Sequence, residues 1–243
     1  QNPVGAIIAL SAIFATIIIF LVSVYLQAMK VEIPLSFGRI RGHGIRWPLH
    51  FMYTSNIPVI LISALLANVQ LLGTLMQNWG YPLLGTFSNG TPISGFVLWV
   101  TPQNVVQHLI TGSLTIPVLF YSFTYMAFMV GGSIIFSVFW VQTSGMDAAA
   151  QARHMLASGL QIPGFRRDQR VLESILNRYI FPLTIMGGAA VGILAAGADL
   201  MGALTRGTGI LLAVMIIYRL YEEIATQHML DMHPALAKMM GKQ

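Results

Sequence analysis

The sequence predicts an all-α integral membrane protein with five membrane-spanning helices. Only 9% of the 243 residues are charged and 56% are hydrophobic, and the mean hydropathy is +0.72. Soluble domains carry about 25% charged residues, so the composition excludes an ordinary soluble fold. Apolar runs that approach the roughly 20 residues needed to cross a bilayer as a helix occur at about 4–29, 57–76, 114–140, 180–200 and 209–221.

The first two spans flank a basic segment. The first span contains no charged residue and ends against Lys30. Residues 30–52 are predicted to form a loop, in which four cations stand against the single acid Glu32. Asn56 is a good helix cap and Pro58 is tolerated in a first turn, so the second span is expected to begin near residue 57.

The second and third spans are joined by residues 77–112, which contain no Lys, Arg, Asp or Glu. Trp79, Tyr81 and Trp99 in this connection favour a membrane interface. Residues 103–110 are predicted to form a short helix that lies in that interface.

Residues 145–178 are polar and are predicted to form a helical hairpin. Asp147 can cap one arm, at 148–156, and Asp168 can cap the other, at 170–178. A Pro-Gly turn between the arms makes the tip. Because a ten-residue helix is about 15 Å long, the arginines at the tip are expected to stand clear of the lipid headgroups.

Small residues mark places where helices can approach closely. Gly131 and Gly132 lie in the third span, and Gly188-Ala-Ala-Val-Gly192 in the fourth span is a GxxxG pattern. The tail, residues 222–243, follows the fifth span.

The positive charges predict the orientation of the chain. Twelve of the thirteen lysines and arginines fall in residues 30–52, in residues 145–178 and in the C-terminal part from Arg219 onward, which leaves only Arg206 on the other side. By the positive-inside rule the twelve face the cytoplasm. The N-terminus of this chain is then external, the 77–112 connection is external and the tail is cytoplasmic, as in a multi-pass plasma-membrane protein.

The sequence shows no motif for catalysis or for a cofactor. It has no nucleotide-binding loop, no HExxH and no GxSxG. The six histidines have no ligand spacing and cysteine is absent, so we expect no enzymatic activity, no metal site and no cofactor. Gln1 is not a start methionine and no basic segment precedes the first apolar run, so we expect no signal peptide and a fragment or a processed chain.

The acids near the spans are expected to be structural. Asp199 is the only acid close to a span, and we expect it to snorkel to the interface or to pair with Arg206. Glu222, Glu223 and Arg219 fall at a helix end and are expected to be solvated.

Two features exceed what a simple anchor needs. The arginines of the two cytoplasmic segments can be topology signals or can dock an anionic partner such as ribosomal RNA. Asn68 and Gln70 lie within the second span, where polar side chains commonly join helices by hydrogen bonds. The residues alone do not decide between topology and docking for the arginines. They also do not decide between helix packing and a functional role for Asn68 and Gln70.

Six segments resemble the SecY family of protein-conducting channels in its archaeal form. They are Val31-Glu-Ile-Pro-Leu-Ser-Phe-Gly-Arg-Ile-Arg41, Ser55-Asn-Ile-Pro-Val-Ile60, Ala67-Asn-Val-Gln70, Pro163-Gly-Phe-Arg166, Gly207-Thr-Gly209 and Tyr218-Arg-Leu-Tyr221. The resemblance covers the whole chain as the C-terminal half of such a channel, its sixth to tenth helices. It implies one five-helix half of an inverted-repeat channel that passes unfolded polypeptides across the membrane and releases transmembrane segments sideways into lipid.

The resemblance also implies roles for individual residues. Ile60 and Leu212 match pore-ring positions, and Asn68, with Gln70 beside it, matches the lateral gate. The partners that the resemblance implies are the N-terminal half of SecY, SecE, the small beta subunit, the ribosome, a signal-sequence-bearing nascent polypeptide and membrane lipid. The residues implied to dock the ribosome are Arg39, Arg41, Arg166 and Arg167.

Two rival functions remain at this point. A fragment of a secondary transporter or flippase would be marked by an acid that faces the interior of the helix bundle. A purely structural membrane anchor predicts no affinity for ribosomes.

Overall fold

The computed structural model describes residues 3–37, 44–88, 90–157, 160–161 and 168–232. Within these residues the chain is mainly helical, as the composition predicts. Eight helices are α1 (Pro3–Ala28), α2 (Ile57–Asn78), α3 (Phe96–Trp99), α4 (Val105–Ile110), α5 (Ile116–Thr143), α6 (Ala148–Ala157), α7 (Gln169–Leu200) and α8 (Gly207–Met232). Five short strands are β1 (Lys30–Phe37), β2 (Gly44–His50), β3 (Phe87–Ser88), β4 (Thr91–Pro92) and β5 (Leu160–Gln161).

Four described helices are long and apolar enough to cross a membrane: those that begin at Pro3, Ile57, Ile116 and Gln169. They correspond to the first four predicted spans. Helix α8 contains the fifth predicted span and has 26 residues, but it is not among these four. Its apolar part is followed closely by Arg219, Glu222 and Glu223. The fifth span therefore remains a prediction.

The prediction of a loop at residues 30–52 is wrong for residues 30–37 and 44–50, which form strands. Strands β1 and β2 pair antiparallel from Lys30 opposite His50 to Ser36 opposite Gly44. Ile33 and Leu49 are buried against α6 and α7, so the hairpin has an apolar face. Each strand also contains a proline, Pro34 or Pro48, and a proline in the sequence argues against a strand because it lacks an N–H group.

Both arms predicted for the hairpin at 145–178 are helical, since the second arm is the beginning of α7. Helix α6 is the first arm, and the side chain of Asp168 accepts a hydrogen bond from the Arg170 N–H at 2.9 Å as predicted. The second arm does not end at Arg178, because α7 continues through Pro182 as one helix of 32 residues. After α6, β5 pairs with β1 and completes a three-stranded sheet in the order β2-β1-β5.

The core forms where α7 packs on α5 and α5 packs on α2. A Cβ on Gly188 would clash with Ser137, and one on Gly192 would lie 2.9 Å from the Cα of Val130. The GxxxG prediction of a close helix approach is thus confirmed. Gly132 likewise contacts the side chain of Ile62 on α2, where no Cβ would fit.

Candidate functional site

The beginning of α2 is fastened to α8 next to both predicted pore-ring residues. Asn56 is fully buried at the N-terminus of α2, and its Nδ2 donates a hydrogen bond of 2.6 Å to the carbonyl oxygen of Leu211. Ile60 follows one turn later on α2, and Leu212 is the next residue on α8. The structure therefore brings together the two helix segments that carry these residues.

Ile60 and Leu212 are exposed beside fully buried neighbours. Ile60 is 38% exposed and Leu212 is 39% exposed, whereas Val59 and Leu211 are buried. The core of the described chain thus uses the neighbours, and Ile60 and Leu212 present aliphatic surface outward. Their assignment to a pore ring remains a prediction.

The two polar residues inside α2 have different surroundings. Gln70 is half-buried, and its Nε2 donates a hydrogen bond of 3.1 Å to the hydroxyl of Thr101. That hydroxyl in turn donates to the carbonyl oxygen of Val97 at 2.7 Å. Asn68 is exposed. Gln70 thus joins α2 to the segment between α3 and α4, while the gate role of both residues stays a prediction.

The predicted docking residues Arg39, Arg41, Arg166 and Arg167 lie outside the described residues. The strands next to them are described: β1 and β2 flank residues 38–43, and β5 precedes residues 162–167. Since β1 pairs with both β2 and β5, both docking segments extend from one sheet.

Asp199 holds the turn between α7 and α8, an arrangement that the sequence did not predict. Its Oδ2 accepts a hydrogen bond of 2.7 Å from the Tyr125 hydroxyl. Its Oδ1 accepts a hydrogen bond of 2.7 Å from the N–H of Gly207, the first residue of α8. A carboxylate there satisfies one of the free N–H groups of a helix N-terminus and complements its dipole. No ion pair between Asp199 and Arg206 forms within the described part of the chain, so the second of the two expected alternatives, pairing with Arg206, is corrected.

A second polar contact fastens α8 to the sheet. Lys30 Nζ lies 2.6 Å from Glu222 Oε1, so the prediction that Glu222 is simply solvated is wrong. The hydrogen bond to Glu222 raises the pKa of Lys30. Burial raises the pKa of Glu222, but the hydrogen bond from Lys30 and the charge beside it lower it, and the pKa of Glu222 lies below its ordinary value.

Tyr53 supports the same end of the bundle. Its hydroxyl donates a hydrogen bond of 2.6 Å to the carbonyl oxygen of Met146, between α5 and α6. Burial and the nearby charge of Asp147 raise the pKa of Tyr53 to about 12. Tyr53 also lines a cavity of about 470 Å³ between the sheet and α8, whose other lining residues include Trp47, Trp140, Tyr218 and Glu222.

The chain is similar throughout its length to one family. The SecY family model matches residues 1–221. The protein translocase subunit SecY of Methanococcus vannielii is 44% identical over 231 residues, which are 95% of this chain and 51% of that protein. The subunit of the same name from Methanothermobacter thermautotrophicus is 46% identical over 94% of this chain and 50% of its own length. The chain spans about half the length of the curated relatives it matches.

Solved structures show the same similarity in three dimensions. A structure described as that of a protein conducting channel aligns with a TM-score of 0.76 and 41% identity, over 94% of this chain and 51% of that one. Sec61 in the canine ribosome–channel complex aligns with a TM-score of 0.71 and 39% identity, over 94% of this chain and 51% of that one.

Proposed function

Because the chain belongs to the SecY family, we propose that it is the C-terminal half of the pore-forming subunit of a protein translocation channel. In this role it passes unfolded polypeptides across the membrane and releases transmembrane segments sideways into lipid. The observation that carries the proposal is the match of 95% of the chain to a protein translocase subunit at 44% identity. The role needs no bond-breaking step by this chain.

The polar contacts of the structure fit a rigid half-channel. Asn56 ties α8 to α2, and Asp199 ties α8 to α5 and α7. Lys30 ties α8 to the sheet. Between these ties, Ile60 and Leu212 present aliphatic side chains outward. A half that holds its own helices firmly can close an apolar ring against a second half, and a narrow apolar ring can exclude water and ions.

A transporter or flippase is the less favoured alternative. Its expected mark is an acid that faces the interior of the helix bundle. The closest candidate is Asp199, and each of its carboxylate oxygens already accepts a structural hydrogen bond.

Reconstitution tests the proposed channel. The chain is coexpressed with the N-terminal half of an archaeal SecY, SecE and the small beta subunit, and the purified assembly is placed in lipid vesicles. We expect a signal-bearing polypeptide to become protected from external protease only when both halves are present. If neither the assembled halves nor an uncut fusion of the two halves protects the polypeptide, the proposal is contradicted.

The proposed orientation places residues 30–52, residues 145–178 and the tail in the cytoplasm, as the twelve cations suggest. A cysteine at Gly42 or at Gly164 should react with a membrane-impermeant maleimide only from the cytoplasmic side. A cysteine at Asn89 should react only from outside. Because the chain has no native cysteine, each label reports one position. Labelling of the cysteine at position 89 from the cytoplasmic side would contradict the five-span arrangement.

We further propose the ribosome as a partner of the two basic segments. One of the similar structures is Sec61 in a ribosome–channel complex, and Arg39, Arg41, Arg166 and Arg167 supply four cations for RNA phosphates. In the assembled channel, Arg166→Glu alone or with Arg39→Glu and Arg41→Glu should weaken ribosome binding most at low salt, because phosphate contacts act through counterion release. Unchanged affinity and unchanged salt slope would leave these arginines as topology signals.

A further inference from the structure

A small polar recess lies among four helices at the end of the bundle where α7 turns into α8. Its volume is about 90 Å³, which is room for about three water molecules at roughly 30 Å³ each. Helix α2 contributes Gln70, helix α5 contributes Tyr125, and Asp199 and Arg206 lie on either side of the turn. The remaining lining residues are Ser63, Leu66, Ala67, Val100, Pro102 and Thr208.

The charged groups of the recess do not meet directly. Asp199 and Arg206 both line it, yet within the described residues they form no ion pair at 4.0 Å or less. The Asp199 carboxylate offers about four acceptor positions, of which Tyr125 and Gly207 occupy two. The guanidinium of Arg206 offers five N–H donors. Polar groups that face one another across such a gap are commonly joined by water.

Gln70 brings an open acceptor from the opposite wall. Its Nε2 is used by Thr101, which leaves Oε1 free to accept. Water in the recess would satisfy it.

We propose that this recess holds a cluster of about three ordered waters that links Asp199 and Arg206 to Gln70 of α2. The inference rests on the proposed channel function, in which α2 borders the lateral gate. Direct hydrogen bonds from Gln70 to α7 or α8 would break when the Gln70 end of α2 moves while Asn56 holds the beginning of α2 to α8. Bound waters can exchange partners instead, so that α2 shifts without leaving its amide unsatisfied.

The direct test is a cryo-electron microscopy map of the assembled channel at a resolution that shows ordered water. We expect water density within hydrogen-bonding distance of Asp199, Arg206 and Gln70, and weaker density in a Gln70→Leu variant. A direct ion pair between Asp199 and Arg206, or a side chain of another subunit in the recess, would overturn the proposal. This map decides the question whether or not the assembly translocates.

A double-mutant cycle tests the role of the waters in gating. Arg206→Met should slow translocation about two- to tenfold, the effect of losing one net hydrogen bond, and should have little further effect in the Gln70→Leu background. Thr74→Val is the control, because Thr74 is a half-buried polar residue of the same helix whose hydroxyl donates to the carbonyl oxygen of Leu71 in its own backbone. Equal slowing by Arg206→Met in both backgrounds overturns the water link. Failure of the unaltered assembly to translocate would instead count against the proposed function.

Discussion

Lys30 Nζ donates a hydrogen bond of 2.6 Å to Oε1 of Glu222, which lies 192 positions further along the chain. The contact fastens the first residue of β1 to α8. Since β1 pairs with β2 and with β5, this one ion pair connects the whole sheet, and therefore the origin of both proposed docking segments, to the helix that carries Leu212.

The ion pair is expected to contribute little stability but to depend on pH at the extremes. Each side chain is 34% exposed, so solvent screens the pair and Glu222→Gln should cost about 0.5 kcal/mol or less. A lowered Glu222 pKa gives stability that is complete above the ordinary value of 4.5 and is lost as the pH falls through the lower folded value. A raised Lys30 pKa gives stability that is complete below 10.5 and is lost as the pH rises through the higher folded value.

The measurement is thermal unfolding of the assembled channel in detergent, followed by tryptophan fluorescence across pH. Besides Lys30, His50 acts on Glu222 through its charge and Tyr218 acts on it through a hydrogen bond. Glu223→Gln removes the neighbouring charge and serves as the control. The exchange of Lys30→Glu with Glu222→Lys should restore the wild-type Tm. A loss in Glu223→Gln equal to that in Glu222→Gln would mean that net charge, and not the pair, is responsible.

Tyr53→Phe should destabilise the junction between the sheet and α6. The substitution leaves the Met146 carbonyl oxygen without the hydroxyl that now donates to it, at a cost of about 1 kcal/mol. Because the folded pKa of Tyr53 is raised from 10.0 to about 12, the phenol stabilises the wild type below pH 10 and this contribution is lost as the pH rises through about 12.

The same unfolding experiment between pH 9 and pH 12 separates the two effects of Tyr53. The Phe variant should start from a lower Tm and should lack the part of the alkaline loss that ionisation of Tyr53 causes. Tyr81→Phe is the control, because Tyr81 is 71% exposed and should behave like wild type. Parallel pH profiles for wild type and Tyr53→Phe would show that the phenol does not titrate in this range.

The sequence predicts the helices well because apolar length carries that information by itself. Asp168 and the GxxxG pattern are also local, and both act as predicted. The sheet was missed because Pro34 and Pro48 argue against strands, whereas the buried faces of Ile33 and Leu49 against α6 and α7 outweigh that local preference. Tertiary burial decides there, and no local pattern reports it.

The polar contacts could not be predicted for a related reason. Asp199 finds Tyr125, 74 residues away, and Asn56 finds the Leu211 backbone, 155 residues away. A partner at such separation depends on how helices pack. The one available signal was the presence of a carboxylate at the end of an otherwise apolar span, since such a group requires donors.

Gly188→Ala should loosen the contact between α7 and α5. The added Cβ would clash with the Ser137 side chain and lie 3.2 Å from the Ser133 carbonyl oxygen, and overpacking of this kind costs about 1–3 kcal/mol. Gly131→Ala is the matched control, since nothing lies within 4 Å of a Cβ there and alanine favours a helix. In thermal unfolding, the Tm of Gly188→Ala should lie below that of wild type, and the Tm of Gly131→Ala should lie at or above it. The reverse ranking would contradict the packing described for α7.

The seal of the idle channel is expected to depend on Ile60 and Leu212. A ring of aliphatic side chains can close a pore by dewetting, and a polar group in the ring holds water there. In the assembled channel, Ile60→Asn or Leu212→Asn should therefore raise the resting ion conductance of a planar bilayer. Each variant should also relax the demand for a strongly hydrophobic signal sequence.

The structure determines which control is fair. Val59 lies next to Ile60 but is completely buried, so an asparagine there would bury an unsatisfied amide in the core and unfold the helix packing. Leu61 is 40% exposed, against 38% for Ile60, and it points about 100° away around the helix. Leu61→Asn thus adds the same amide at the same exposure on a different face. Conductance raised by Ile60→Asn and Leu212→Asn but not by Leu61→Asn supports the ring, because only position around the helix then distinguishes the variants on α2. An equal rise in conductance in Ile60→Asn and Leu61→Asn would contradict the assignment of Ile60 and Leu212 to the pore ring. No rise in conductance in either ring variant would contradict it as well.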